Sequence, residues 1–255
     1  MPERLCKTDK AENGISVVII PGSSAAEARQ VLEALQRQIA AIAASSDIKG
    51  IIITGSGEGF CRTAAGTALS HIQASELASL GQQVMFSLEK TGRPCIAAVG
   101  GVCSGLGLEL ALACDFIVAS DTASFGLPGI AAGQIPFCGG TQRLARLVGK
   151  SRAKEMIYSG EMITAGEAFR IKLINRLYAA KDLMSEAVRL MTLICSRSPN
   201  AIRIGGEVIN AGYDIDLQTA CLLERNAFAL CFASYDQREG MQAFLDKRQP
   251  GFKGE

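Results

Sequence analysis

One carboxylate, Glu109, lies within residues 94–114, a stretch that is otherwise uncharged, apolar and rich in glycine. The apolar run from Cys95 to Val99 predicts a buried strand, and the residues from Leu106 onward have helical composition. A membrane span is the main alternative for such a stretch, but a span needs about 20 apolar residues and tolerates neither this carboxylate nor four glycines easily. The stretch therefore predicts a strand, a glycine-rich turn and a helix, and no membrane span.

Glu109 is the leading candidate for chemistry in this segment. An unpaired carboxylate that leaves water has a raised pKa, which brings it toward the range where it exchanges protons near neutral pH. The structural alternative is a glutamate paired with a distant Arg or Lys. The segment alone leaves both interpretations open.

The turn before the helix, which contains Gly100, Gly101 and Gly105, predicts a binding site for an oxyanion. A turn that opens into a helix presents free backbone N–H groups and the positive end of the helix dipole. Dinucleotide, P-loop and nucleophile-elbow motifs do not match here. A Ser104 nucleophile would need His71, the only histidine, which we expect on a surface loop.

Composition excludes several classes of protein. The 255 residues carry 26 basic and 25 acidic side chains, with no tryptophan. This balance, with no basic run, argues against a nucleic-acid partner. The N-terminal residues lack the apolar core of a signal peptide, so we expect a cytoplasmic protein. The nine cysteines form no C-x-x-C pair and predict reduced thiols without a metal site.

The order of elements predicts an α/β fold. Branched apolar runs at residues 15–20 and 51–54 predict strands on either side of a helix at 25–44, whose apolar positions share one face. Residues 94–99 and 115–119 continue this parallel pattern. Helices are predicted after Gly140, with a capping box at Thr164 and Glu167 and an amphipathic segment at 216–247.

Five ordered motifs resemble the enoyl-CoA hydratase/isomerase (crotonase) family: PCIAAVGG from Pro94, GLGLELALACD from Gly105, SFGLP from Ser124, GQIPFCGGTQRL from Gly133 and REGMQAFLDKRQPGF from Arg238. The resemblance implies a spiral of strand-strand-helix units over residues 1–195 and a helical oligomerisation region over 196–255. It also implies acyl-CoA thioester substrates, with coenzyme A as part of the substrate and no separate cofactor. The expected assembly is a homotrimer or a dimer of trimers.

The resemblance also assigns an oxyanion hole made of two backbone N–H groups, which hold the thioester oxygen as it gains negative charge. The second donor falls on Leu106, next to Gly105 in the substrate-binding turn. The first falls on Ala64 when the sequence is aligned on Phe60, or on Thr67 with a different alignment. Ala65 replaces the usual aspartate, and we expect Ala65 and Thr67 to line the substrate site.

Gly129 is the main departure from the family pattern, because family hydratases carry a glutamate directly after the proline. Glu109 matches the other family glutamate, so a single carboxylate must serve as both acid and base through one water. Other thioester-enolate chemistry such as decarboxylation, and acyl-CoA binding without catalysis, are the alternatives. The resemblance places Gly129 and Gln134 at the substrate, and suggests that Phe244 and Lys247 reach the CoA of a neighbouring subunit.

Overall fold

The computed structural model describes residues 6–11, 14–21, 28–56, 59–62 and 69–255. The strands within these residues are β1 (Lys7–Ala11), β2 (Ile15–Pro21), β3 (Gly50–Ser56), β4 (Gly59–Cys61), β5 (Cys95–Val99), β6 (Val102–Ser104), β7 (Phe116–Ser120), β8 (Ser124–Gly126), β9 (Ile163–Thr164) and β10 (Arg176–Tyr178). The helices are α1 (Ala28–Ala44), α2 (His71–Glu89), α3 (Leu106–Ala111), α4 (Gly140–Val148), α5 (Lys150–Ser159), α6 (Ala165–Arg170), α7 (Leu183–Cys195), α8 (Pro199–Gly212), α9 (Leu217–Phe232) and α10 (Tyr235–Leu245).

The strands form two sheets that the chain visits alternately. One sheet has the order β1-β2-β3-β5-β7-β10 and the other has the order β4-β6-β8-β9. The chain passes from β3 to β4 and α2, from β5 to β6 and α3, and from β7 to β8. Pairing is parallel except for β1 with β2 and β8 with β9. This is the predicted spiral of strand-strand-helix units.

The main core lies between the sheets and helices α1 and α2. On α1 the buried side chains include the predicted apolar face, formed by Val31, Leu32, Leu35, Ile39 and Ile42. Strands buried on both faces are expected in a parallel sheet covered on both sides. The opposite face of the large sheet packs on α7 through Leu183, Ala187 and Met191. The five fully buried residues of β5 therefore sit at the centre of the fold and fix the turn that follows.

The C-terminal helices α8, α9 and α10 bury far less than the core helices. No residue of α8 or α9 is fully buried. Large apolar side chains on α9 and α10 are exposed, namely Leu217, Leu222, Leu223, Phe228, Leu230, Phe232, Met241, Phe244 and Leu245. Exposed apolar surface of this extent is typical of an interface. The predicted segment at 216–247 is two helices, because Ser234 begins α10 as its N-cap.

Two local predictions need correction, and a third lies partly outside the described residues. His71 is the first residue of α2 and not part of a loop, because Ser70 forms a capping box with Gln73. The capping box at Thr164 is only half formed: Thr164 accepts a hydrogen bond from the Glu167 N–H, but the Glu167 carboxylate pairs with Arg152 and Arg170. The helix predicted at 25–44 is described from Ala28 onward, since residues 22–27 lie outside the described part of the chain.

Candidate active site

The glycine-rich segment between β5 and α3 contains the short strand β6. Gly105 has φ 57° and ψ −125°, a conformation that favours glycine because it has no Cβ. Its N–H donates to the Gly126 carbonyl in β8 at 3.1 Å, so the second sheet holds the turn in place. Helix α3 begins at the next residue. The predicted strand and helix are thus present, but the segment between them is not only a turn, because it contains the short strand β6.

The Leu106 N–H is a buried donor at the start of α3. Leu106 is fully buried, and in the described part of the chain its N–H has no hydrogen-bond acceptor. The first N–H groups of any helix lack partners inside the helix. This group is therefore available as a hydrogen-bond donor, and the oxyanion-hole role that the family resemblance assigns to it stays a prediction.

Gly107 brings α3 close to β4, the strand that leads toward the other predicted donor. A Cβ at Gly107 would overlap the Cys61 carbonyl at the end of β4. Glycine at this position therefore lets α3 lie directly against the end of β4. The predicted residues Ala64, Ala65 and Thr67 fall within 63–68, outside the described residues.

Glu109 is held by backbone and not by a basic side chain. Its side chain is buried, with 1% exposure of the residue. Oε1 accepts hydrogen bonds from the Cys138 N–H at 2.7 Å and the Gly140 N–H at 2.8 Å, and Oε2 accepts from the Phe137 N–H at 3.3 Å. Among the described residues no Arg or Lys forms an ion pair with it, although the positive charge of Arg143 acts on it.

The pKa of Glu109 is raised above its ordinary value. Burial is the largest cause, because it penalises the charged form. The three backbone N–H groups and the positive charge of Arg143 act in the opposite direction and only partly offset burial. The neighbouring Cys138 thiol stays protonated, since burial and the Glu109 charge raise its pKa as well. A carboxyl group in this setting can exchange a proton closer to neutral pH than a solvated one.

Gly140 leaves room for the Glu109 side chain. A Cβ at Gly140 would lie 2.8 Å from Glu109 Cγ and 2.9 Å from Oε1. Real Cβ atoms do not approach so closely, so a larger residue would displace the carboxylate. The GGTQRL stretch therefore contributes both a hydrogen-bond donor and the space for the acid.

Gly129 lies in a 3₁₀ turn (Pro128–Ala132) that follows β8. The turn closes through a hydrogen bond from the Gln134 N–H to the Gly129 carbonyl at 2.9 Å, which makes Gln134 its neighbour. A Cβ at Gly129 would meet only ordinary contacts, the nearest being the Gln134 carbonyl at 3.4 Å. Gly129 does not have a positive φ. Neither space nor backbone conformation therefore requires glycine here.

Phe244 and Lys247 lie at the C-terminal end of α10. Phe244 is 78% exposed, and the Lys247 N–H donates to the Phe244 carbonyl at 3.2 Å. Lys247 has φ 53°, a left-handed conformation that is uncommon for a residue with a side chain. Both side chains belong to the exposed C-terminal region, and their contact with the CoA of a neighbouring subunit stays a prediction.

Sequence reasoning did not assign Gln82 to the site, and it predicted for Arg143 an ion pair on its own helix, which is wrong. Arg143 forms its ion pair with Glu89 on α2 at 2.7 Å and not with a residue of its own helix. Gln82 on α2 donates to the Phe137 carbonyl at 3.2 Å. Both contacts join positions 54 or more residues apart, so no local spacing indicates them.

Comparison with known proteins agrees with this geometry. The family model for enoyl-CoA hydratase/isomerase matches residues 13–255. A crotonyl-CoA hydratase of Syntrophomonas wolfei is 43% identical over 206 residues, which is 79% of each chain. A short-chain-enoyl-CoA hydratase of Clostridium acetobutylicum is 36% identical over 249 residues, which is 95% of each chain. The crystal structure of an enoyl-CoA hydratase from Bacillus anthracis superposes with a TM-score of 0.92 at 34% identity, covering 99% of this chain and 100% of that one.

The chain belongs to the enoyl-CoA hydratase/isomerase family, and its fold is the crotonase fold. The family resemblance and the α/β spiral inferred from the sequence are both confirmed. Within the described residues no helix is long and apolar enough to cross a membrane. The same residues contain no group of three or more His, Cys, Asp or Glu side chains arranged to hold a metal ion.

Proposed function

We propose that this protein hydrates short 2-enoyl-CoA thioesters, with Leu106 as an oxyanion-hole donor and Glu109 as the acid and base. One observation carries the proposal: a buried carboxylate with a raised pKa lies one helical turn after a buried N–H that has no acceptor among the described residues. Residues three apart share a helix face, and side chains lean toward the helix N-terminus. Glu109 is therefore directed toward the same end of α3 as the Leu106 N–H.

The proposed reaction uses one water and one carboxylate. Glu109 accepts a proton from the water while the water oxygen bonds to the β-carbon. The electron pair of the double bond moves toward the thioester carbonyl. The Leu106 N–H, with the backbone N–H of Ala64 as the proposed second donor, stabilises the resulting enolate oxygen. Glu109 then returns the proton to the α-carbon. The product is a 3-hydroxyacyl-CoA, and water and double bond are both consumed.

The relatives support the choice of substrate. One is named as a crotonyl-CoA hydratase and another as a short-chain-enoyl-CoA hydratase. Gln134, Gly129 and Gly105 are proposed to line the acyl site, together with Ala65 and Thr67. No separate cofactor is proposed, because CoA arrives as part of the substrate.

Assembly and domain organisation form part of the proposal. Residues 1–195 would be the catalytic core and 196–255 the oligomerisation region of a homotrimer or a dimer of trimers. The apolar side chains exposed on α9 and α10 support this, since burying them requires another subunit. Phe244 and Lys247 are proposed to contact the CoA bound by that subunit.

Gly129 favours a second candidate, in which the oxyanion hole acts without water activation. A protein with one carboxylate could carry out other enolate chemistry such as decarboxylation, or bind acyl-CoA only. The loss of ultraviolet absorbance of crotonyl-CoA measures hydration, and calorimetry measures binding. Hydration by the wild-type protein supports the first candidate. Binding without hydration supports the second, and failure to bind a panel of short acyl-CoA thioesters would exclude both.

A further inference from the structure

The loop formed by Phe137, Cys138, Gly139 and Gly140 is held from two sides. Three of its N–H groups donate to the Glu109 carboxylate. Its first two carbonyls point to other partners: Gln82 donates to Phe137 O and Arg143 donates to Cys138 O. The position of the loop, and therefore of the Glu109 carboxylate, depends on contacts made from α2 and α4.

Gln82 lies directly across one peptide plane from Glu109. The peptide joining Phe137 to Cys138 is planar and trans, so its C=O and N–H point in opposite directions. Gln82 Nε2 lies 3.2 Å from the C=O oxygen, and the N–H donates to Glu109 Oε1 at 2.7 Å. A hydrogen bond to the carbonyl polarises the peptide and strengthens the N–H as a donor. Gln82 thus acts on Glu109 through a single rigid unit.

Arg143 holds the next peptide and is itself fixed by α2. Its Nη1 donates to Cys138 O at 3.1 Å, its Nε pairs with Glu89 Oε1 at 2.7 Å, and its guanidinium lies 5.2 Å from the centre of the Phe86 ring. A planar guanidinium can make these contacts together, whereas an ammonium cannot. The charge of Arg143 also lowers the pKa of Glu109. Helix α2 therefore controls both the geometry and the electrostatics of the carboxylate.

Side-chain packing adds a third contact between α2 and the loop. Cys138 is fully buried, and a Cβ at Gly81 would overlap its Sγ. Glycine at this position lets the loop lie directly against α2, one residue before Gln82. The close approach explains how an amide side chain on α2 reaches the Phe137 carbonyl.

We propose that Gln82 and Arg143 are positioning residues, which hold the 137–140 loop so that its N–H groups keep Glu109 in its reactive orientation and ionisation state. The inference rests on the proposed function, in which Glu109 is the acid and base. Neither side chain is required to touch the substrate. Their effect on the reaction would pass through the backbone of the loop.

The first test compares Gln82→Met with Gln83→Met. The control residue is the next one on α2, and its amide bonds Ser79 and not the loop. Losing one hydrogen bond that supports the carboxylate should move the acidic limb of the kcat/KM profile for crotonyl-CoA upward by about half a pH unit to one pH unit. At the wild-type midpoint this lowers kcat/KM by roughly two- to fivefold. The Gln83→Met profile should match wild type, and equal profiles in both variants would overturn the proposal for Gln82.

Arg143 is tested by partial rescue. Arg143→Met removes the charge and both hydrogen bonds, whereas Arg143→Lys keeps the charge but not the planar fork. The acidic limb should move upward in Arg143→Met and return partway in Arg143→Lys. If the two variants and wild type share one pH profile, Arg143 has only a structural role.

A measurement without activity separates this proposal from the proposed function. The pH dependence of the thermal midpoint is compared between each protein and the same protein carrying Glu109→Gln, which isolates the titration of Glu109. Gln82→Met should move that titration to higher pH, and Gln83→Met should not. Glu109→Gln retaining full activity would refute the acid/base role while this comparison still tests the loop contacts. An unmoved titration in Gln82→Met would refute positioning even if Glu109 is essential.

Discussion

Replacing Glu109 tests its structural and chemical roles together, because the two give different magnitudes. Glu109→Ala leaves three backbone N–H groups without an acceptor, two of them buried and one part-buried, and each unsatisfied buried group costs about 1–3 kcal/mol. In Glu109→Gln, the amide oxygen can replace Oε1 and keep the bonds to Cys138 and Gly140. The amide nitrogen then faces the Phe137 N–H, so one donor loses its partner. We expect a loss of unfolding free energy of about 1–3 kcal/mol for Gln and at least twice that for Ala.

The activity of Glu109→Gln should fall further than its stability predicts. An amide cannot exchange protons, and removing general acid-base help lowers the rate by about 10²- to 10⁴-fold. Urea unfolding gives the free energies, initial rates with crotonyl-CoA give kcat, and calorimetry checks that binding persists. A Gln variant that is stable, binds substrate and retains wild-type kcat would refute the reasoning. So would an Ala variant no less stable than Gln.

Three further predictions follow from the same geometry. Gly129→Glu should raise crotonyl-CoA hydration above wild type, because the position has room and no positive φ; an unchanged or lower rate in a folded variant would contradict this. The folded protein binds the Glu109 proton more tightly than the unfolded chain does, because the pKa of Glu109 is raised. The unfolding free energy of wild type, relative to that of Glu109→Gln, should therefore fall as pH rises from the ordinary glutamate pKa through the raised one. A rise over this range would contradict the prediction. Lys247→Gly should raise the thermal midpoint by relieving a left-handed φ while weakening CoA binding, and tighter binding would exclude the CoA contact.

The parts of the fold that the sequence predicted are those governed by local pattern. β2 and β3 are continuous runs of branched apolar residues, which indicate buried strands, and the apolar face of α1 repeats with the helical period. The division of 216–247 into α9 and α10 was missed because the break is a cap. The Ser234 hydroxyl accepts a hydrogen bond from the Gln237 N–H. The buried Asp236 carboxylate instead accepts hydrogen bonds from the Ser198 hydroxyl and the Gly254 N–H. Sequence spacing alone does not show that Ser234, and not Asp236, caps α10.

The candidate site likewise has one part that follows from local sequence and another that depends on contacts between distant elements. Gly105, Leu106 and Glu109 are contiguous in sequence, so their common position at the start of α3 follows from one strand, turn and helix. The partners of Glu109 are 28 to 31 residues away, and they are backbone N–H groups that have no residue type to search for. Gln82 and Arg143 act on those groups through side chains that look unremarkable in sequence. Their contribution depends on how α2 packs against the 137–140 loop.

A crystal structure with bound acetoacetyl-CoA tests the central claim most directly. The claim is that the start of α3 binds the thioester oxygen and that Glu109 lies at the reacting carbons. The thioester oxygen should lie about 2.7–3.2 Å from the Leu106 nitrogen, with a Glu109 carboxylate oxygen next to the α- and β-carbons directly or through one water. A thioester oxygen held by other groups, with Glu109 still enclosed by the 137–140 loop and out of reach of the acyl chain, would contradict the account.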